Sequence, residues 1–181
     1  MLEFRKQEPY SLRTRPDIVE SEYDFRQNLD ISDVNGVLFN VLASRNSSTL
    51  AEYDAVWWRE NRVCFLEYKD STAAYRRMNA KRAQQVQDTS RNLARTYGFQ
   101  EFNYSLVVKG LEAKTTKGSV AVIPLEALSS YRPEFTSAHV ELDFIDKLTD
   151  KYSREQNPVE LERDTVIADI SKLKEMFEQQ L

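Results

Sequence analysis

The chain has 181 residues, of which 41% are hydrophobic and 30% charged, a globular composition that suits one domain with an appended helix. Lys and Arg total 25 against 29 Asp and Glu, for a net charge of -4, so any nucleic-acid-binding surface has to be a local patch. A single cysteine, Cys64, excludes an intramolecular disulfide. A single histidine, His139, excludes a Cys/His zinc site, and the four glycines (Gly36, Gly98, Gly110 and Gly118) form neither a GxGxxG nor a Walker-type loop.

The opening Met1-Leu2-Glu3-Phe4-Arg5-Lys6 lacks the apolar run of a signal peptide, and no stretch approaches a membrane span, so a cytoplasmic protein with no membrane partner is expected. Residues 1–16, with Pro9 and Pro16, read as extended or loose. Asp17 could cap a short helix through about Leu29. Val34, Val37, Leu38, Val41 and Leu42 fall at helical spacing after Ser32-Asp33, which predicts an amphipathic helix over 32–45. Two β-branched and aromatic strands follow, Ala51–Trp58 and Val63–Lys69, joined by a short turn at Glu60-Asn61. A long helix is predicted from Ser71 to Tyr97, closed by Gly98. Strands over Phe102–Lys109 and Ser119–Pro124 flank a charged loop, and residues 125–157 read as mixed with short helical pieces. Val166, Ile170, Leu173 and Phe177 make an amphipathic stripe on a last helix starting near Pro158. The order predicts an α/β domain over 1–157 and a C-terminal helix over 158–181.

A two-residue turn at Glu60-Asn61 places Arg59 opposite Arg62. The same register sets Asp54 opposite Glu67 and Glu52 opposite Lys69, on one face. These charges end two strands that are apolar on both sides, Ala55-Val56-Trp57-Trp58 and Val63-Cys64-Phe65-Leu66, and such strands are central and covered. Paired carboxylates repel unless a cation compensates them, and magnesium takes one or two carboxylates plus waters. A lysine beside them can hold or activate a water aimed at phosphorus, so the constellation outlines metal-assisted hydrolysis. Charges that merely mark the solvent ends of two core strands are the competing reading.

Asp54, a gap of twelve residues and then Glu67-Tyr68-Lys69, in the text Ala51-Glu52-Tyr53-Asp54-Ala55-Val56 and Phe65-Leu66-Glu67-Tyr68-Lys69, resembles the PD-(D/E)XK nuclease superfamily, in particular its nuclease-related (NERD) and Holliday-junction-resolvase branches. The resemblance covers about residues 32–124. It implies a restriction-endonuclease-like core, a central mixed four-stranded sheet flanked by helices. It further implies that Asp54 and Glu67 bind Mg (or Mn), that Lys69 assists the attacking water, and that a glutamine on the following helix, here Gln84, supports the site. Many members carry a glutamate on the first helix. Asp33 and Asn40 lie on the corresponding predicted helix, with Glu20 and Glu22 upstream, and Tyr53 stands where Pro often precedes the aspartate.

Between Thr72 and Gly98 there are six basic residues and one acidic, whereas residues 141–181 hold eleven acids and six bases. At about 100° per residue, Arg76, Arg77, Lys81, Arg91 and Arg95 share an arc with Gln84, and such an arc can contact phosphates; a plain solvated face is the alternative. Cys64, amid Val63, Phe65 and Leu66, reads as a core residue and not as half of a Cys–His pair with His139. Trp57 and Trp58 point to opposite faces. The expectation is therefore a metal-dependent nuclease acting on DNA, RNA being open. The alternative is a catalytically inactive nucleic-acid- or protein-binding module on the same fold. The last helix could serve a homodimer or, through its acids, a protein partner.

Overall fold

The computed structural model describes residues 10–15, 20–45, 47–139, 144–145, 147–148 and 163–178. In chain order the elements are β1 (Ser11–Thr14), α1 (Ser21–Asn28), β2 (Gly36–Arg45), β3 (Ser48–Arg59), β4 (Arg62–Lys69), α2 (Thr72–Arg77), α3 (Ala80–Thr96), β5 (Glu101–Val108), β6 (Thr115–Lys117) and β7 (Val120–Pro124). A 3-10 segment over Leu125–Ser130, β8 (Thr136–Ser137) and α4 (Arg163–Glu178) complete them. The described residues up to Ala138 form one compact unit, and those from His139 on belong to a second.

The first unit is α/β, with a mixed sheet of eight strands flanked by helices. The strand order is β1-β2-β3-β4-β5-β7-β6, and β8 pairs with the start of β5. The β1 to β4 neighbours are antiparallel, whereas β4–β5 and β5–β7 are parallel. The four expected strands are present as β3, β4, β5 and β7. One sheet face packs Val41, Tyr53, Phe65, Tyr104 and Leu106 under Ala83, Val86 and Leu93 of α3. The other packs Ala55, Cys64, Leu66 and Val107 against Phe25 of α1, Leu29, and Leu125 and Leu128 of the 3-10 segment. Buried side chains such as Val86 and Leu93 each contribute about 1.5–3 kcal/mol by leaving water. Trp57 and Trp58 do face opposite sides, Trp57 edge-on to Phe135 and Trp58 in the α3 layer.

Residues 36–45, expected in a helix, are a strand. The helical spacing of their apolar residues arises at Asn40, whose φ of 52° is left-handed. In a regular strand Phe39 and Val41 share a face. Here Phe39 packs on the α1 side, whereas Leu38 and Val41 both pack on the α3 side. Apolar positions three apart then share a face and imitate a helical period. Gly36 pairs with Trp58 across the hairpin, and a Cβ there would stand 2.2 Å from Trp58 Cζ2, so the close approach requires glycine.

The predicted single helix over 71–97 is two. Met78 is extended, and the Asn79 side chain accepts from the Arg82 N–H at 2.8 Å, which caps α3; Ser71 caps α2 through Ala74 N. Lys117 Nζ from β6 donates to the carbonyls of Tyr75 and Met78 and fills the break. The loop expected over 110–118 contains β6, and the loose N-terminal stretch contains β1. The helix expected from Asp17 is observed over Ser21–Asn28, and Asp17 itself lies outside the described residues.

In the second unit α4 is described from Arg163; the expected start near Pro158, the domain boundary at 157/158 and the Phe177 side chain lie outside the described residues. Val166 and Leu173 of the expected stripe are half-buried, and Ile170 is 60% exposed. Among the described residues no helix is long and apolar enough to cross a membrane.

Candidate functional site

β4 is buried from Val63 to Tyr68, and its side chains alternate between the two cores. Val63 and Phe65 enter the α3-side core, so Glu67 and Lys69 continue on that face, as expected. Glu67 is only 8% exposed, and Lys69 Nζ lies 2.6 Å from Glu67 Oε1. Glu67 Oε2 accepts a hydrogen bond from the Tyr104 hydroxyl at 2.7 Å. Both oxygens of this buried carboxylate are therefore engaged, which its burial demands.

The β3–β4 register has Arg59 opposite Arg62, as the turn predicts, and runs to Ala55 opposite Leu66. There the ladder stops, one step before Asp54 and Glu67. On its other side Asp54 lies across from the left-handed Asn40, between the pairs Phe39↔Ala55 and Val41↔Tyr53. Both strands exchange faces at this rung: Tyr53 packs on the α3 side and Ala55 on the α1 side. The interruption frees the Asp54 carboxylate from the alternation, and its Oδ2 accepts from the backbone N–H of Tyr68 at 2.5 Å. Burial pushes Asp54 up to about 6; the charges of Glu22 and Glu67 add to the rise, and the Tyr68 N–H and Lys69 oppose it.

Glu22 is the acid that sequence reasoning named without selecting. On α1 it is 7% exposed, and its Oε2, 3.5 Å from Arg26 Nη2, makes no hydrogen bond. Its charge acts on Asp54. Of the other first-helix candidates, Asp33 pairs with Arg59 at 2.6 Å, Asn40 stands in β2, and Glu20 is exposed at the start of α1. Glu52, expected beside Lys69, instead lies 3.6 Å from Arg15 and is exposed, because the face exchange at Asp54 moves the preceding residues out of register with Glu67 and Lys69. Among the described residues no group of three or more His, Cys, Asp or Glu is gathered to hold a metal. The carboxylates available are the pair Asp54 and Glu67, a donor set that suits magnesium or manganese with the remaining positions left to water.

Gln84 is not brought to the carboxylates. Its amide N–H donates to Asp88 on the same helix at 3.1 Å and its oxygen accepts from the Ser119 hydroxyl of the turn between β6 and β7 at 2.7 Å, so both ends are engaged away from the carboxylates. The predicted cationic arc is divided by the break at Met78-Asn79. Arg76 and Arg77 are exposed on α2, and Lys81 is exposed in the first turn of α3 together with Arg82, whose guanidinium reaches Leu50 O at 2.9 Å. Arg91 and Arg95 are half-buried farther along, Arg91 lying 3.6 Å from Asp88 and over the Phe102 ring.

Sequence reasoning missed Tyr104 and Tyr53. The Tyr53 hydroxyl shares a buried 2.8 Å hydrogen bond with Ser90 of α3, and its ring packs on Phe65 and Tyr104. Burial disfavours the ionised form of both tyrosines, so both hydroxyls stay protonated. The signal for Tyr104 would have been the parallel register that sets it against Phe65, two residues before Glu67, and parallel pairing leaves no turn in the sequence to count from. Cys64 is buried, its thiol 3.5 Å from Asn103 Oδ1 and pushed up by burial, as befits a core residue. No family model matches this chain, and no curated protein and no solved structure does.

Proposed function

We propose that the chain is a divalent-metal-dependent phosphodiesterase acting on nucleic acid, on a restriction-endonuclease-like core formed by β3, β4, β5 and β7. The observation that carries this reading is the end of β4, where buried Glu67 and half-buried Lys69 share one face beside Asp54, held at an interrupted rung. Hydrolysis adds a water oxygen to phosphorus and expels one ester oxygen. Lys69 Nζ, 2.6 Å from Glu67 Oε1, is the donor placed to orient that water or take part in its deprotonation. Asp54 and Glu67 would hold the cation, which supplies charge neutralisation at phosphorus and a more acidic bound water. The burial that pushes Asp54 up, with Glu22 and Glu67 adding to it, supports the fit, since a cation would offset the cost of its buried charge. Exposed Arg76, Arg77, Lys81 and Arg82 follow directly on β4 and would take the backbone phosphates.

A second reading has one observation in its favour. Lys69 and Tyr104 already satisfy Glu67, as in a structural ion pair, and the chain would then be an inactive binding module. Cleavage of single-stranded, duplex, flapped and four-way-junction DNA and of RNA, with magnesium or manganese at low salt, separates the two. Cutting by the wild type and none by Asp54→Asn supports the enzyme. No cutting of any substrate, with no metal-dependent heat in calorimetry, supports the binding module.

A further inference from the structure

We propose that Tyr104 is a positioning residue for Glu67, its hydroxyl fixing the orientation in which that carboxylate meets a divalent cation. This rests on the reading of Asp54 and Glu67 as the metal-holding pair. Tyr104 stands on β5 opposite Phe65 of β4, and its side chain reaches one step along the same face to donate to Glu67 Oε2 at 2.7 Å. The ring has little room to turn. Tyr104 is fully buried, edge-on to Tyr53 at 6.2 Å, and Tyr53 is itself packed on Phe65 and bonded to Ser90 of α3. The donor is thus held by four elements, β3, β4, β5 and α3. The opposite oxygen, Oε1, faces Lys69 at 2.6 Å. With the Tyr104 hydroxyl removed, Oε2 is a buried acceptor without its donor, and Lys69 is the donor at hand. The carboxylate then turns both oxygens to Lys69, and a cation has to break a tighter ion pair to reach it.

The test is calorimetric titration with manganese chloride alone into the wild type, Tyr104→Phe, Tyr53→Phe and Asp54→Asn, with thermal unfolding of each measured without metal. Tyr104→Phe is expected to lose about tenfold to a hundredfold in manganese affinity, the usual scale for a group that orients a metal ligand. Tyr53→Phe removes an equally buried hydroxyl that bonds Ser90 and not Glu67, and it is expected to bind as the wild type does. Removing Lys69 as well, in Tyr104→Phe/Lys69→Ala, is expected to recover part of the loss. Unchanged affinity in Tyr104→Phe, an equal loss in both tyrosine variants, or a Tyr104→Phe chain that does not fold overturns the proposal. A wild type whose manganese heat is absent, or is equal in Asp54→Asn, overturns the metal site itself. Binding by the wild type with no change in Tyr104→Phe overturns only the role of Tyr104.

Discussion

Replacing Asp54 with Asn should stabilise the metal-free protein. In the folded chain burial, with Glu22 and Glu67 nearby, raises Asp54 from an ordinary 3.8 to about 6. A carboxyl raised in the folded state binds its proton more tightly there than in the unfolded chain. Its contribution is therefore favourable below the ordinary carboxylate range and is lost as pH rises through about 6. Each tenfold change in proton affinity is worth about 1.36 kcal/mol, so the ionised Asp54 costs the fold about 3 kcal/mol at pH 8. Asparagine carries no charge and keeps an oxygen for the Tyr68 N–H, so the variant escapes the cost and retains the hydrogen bond. The assay is urea unfolding of both proteins in chelator from about pH 4 to pH 8. Other titrating groups cancel in the difference between the two curves. That difference should be small at the acid end, open between about pH 4 and 7, and level near 3 kcal/mol in favour of the variant. A variant less stable than the wild type at pH 8, or a difference that does not change with pH, would refute the electrostatic reasoning. The outcome also bears on function, because a site that costs stability until a cation arrives is one kept for binding.

Gly36→Ala should cost about 1–3 kcal/mol and shift tryptophan emission, since the new Cβ meets the Trp58 ring; an unchanged urea midpoint would count against that packing. Asn40→Val should be less stable than Asn40→Gly by about 1–2 kcal/mol, because a β-branched residue resists the left-handed φ that glycine adopts freely. Equal midpoints for the two variants would dismiss the face exchange. Lys117→Met should remove the ammonium that bonds the Tyr75 and Met78 carbonyls, at about 1.5–3 kcal/mol. Faster amide exchange over 72–79 should accompany it, and unaltered exchange there would show that the break in the helix needs no clamp.

The parts of this protein that can be read from its sequence are the local ones. The β3–β4 hairpin follows from two apolar runs and a two-residue turn, and it fixes that Glu67 and Lys69 share a face. The core face of α3 is marked by Val86 and Leu93 at helical spacing, both buried. What stayed hidden depends on single residues whose effect is tertiary. The left-handed Asn40 makes β2 exchange faces beside Asp54, and the strand therefore looks helical in sequence. Asn79 ends one helix and begins another without proline or glycine to announce it. Glu22, 32 residues before Asp54, reaches the site only through the packing of α1 on the sheet. Tyr104 reaches it through a parallel register that no turn encodes. Gln84 had the expected place along the chain, but its side chain is taken by Ser119 and Asp88.

The central claim is that Lys69, beside Asp54 and Glu67, works in phosphodiester hydrolysis. Its most direct test is single-turnover cleavage of an end-labelled substrate by the wild type and Lys69→Ala, with manganese affinity and circular dichroism recorded for both. Lys69→Ala is expected to lose at least about a hundredfold in rate, the lower range for a group that moves or orients a proton, with fold and metal binding retained. A Lys69→Ala protein that cuts at the wild-type rate would contradict it.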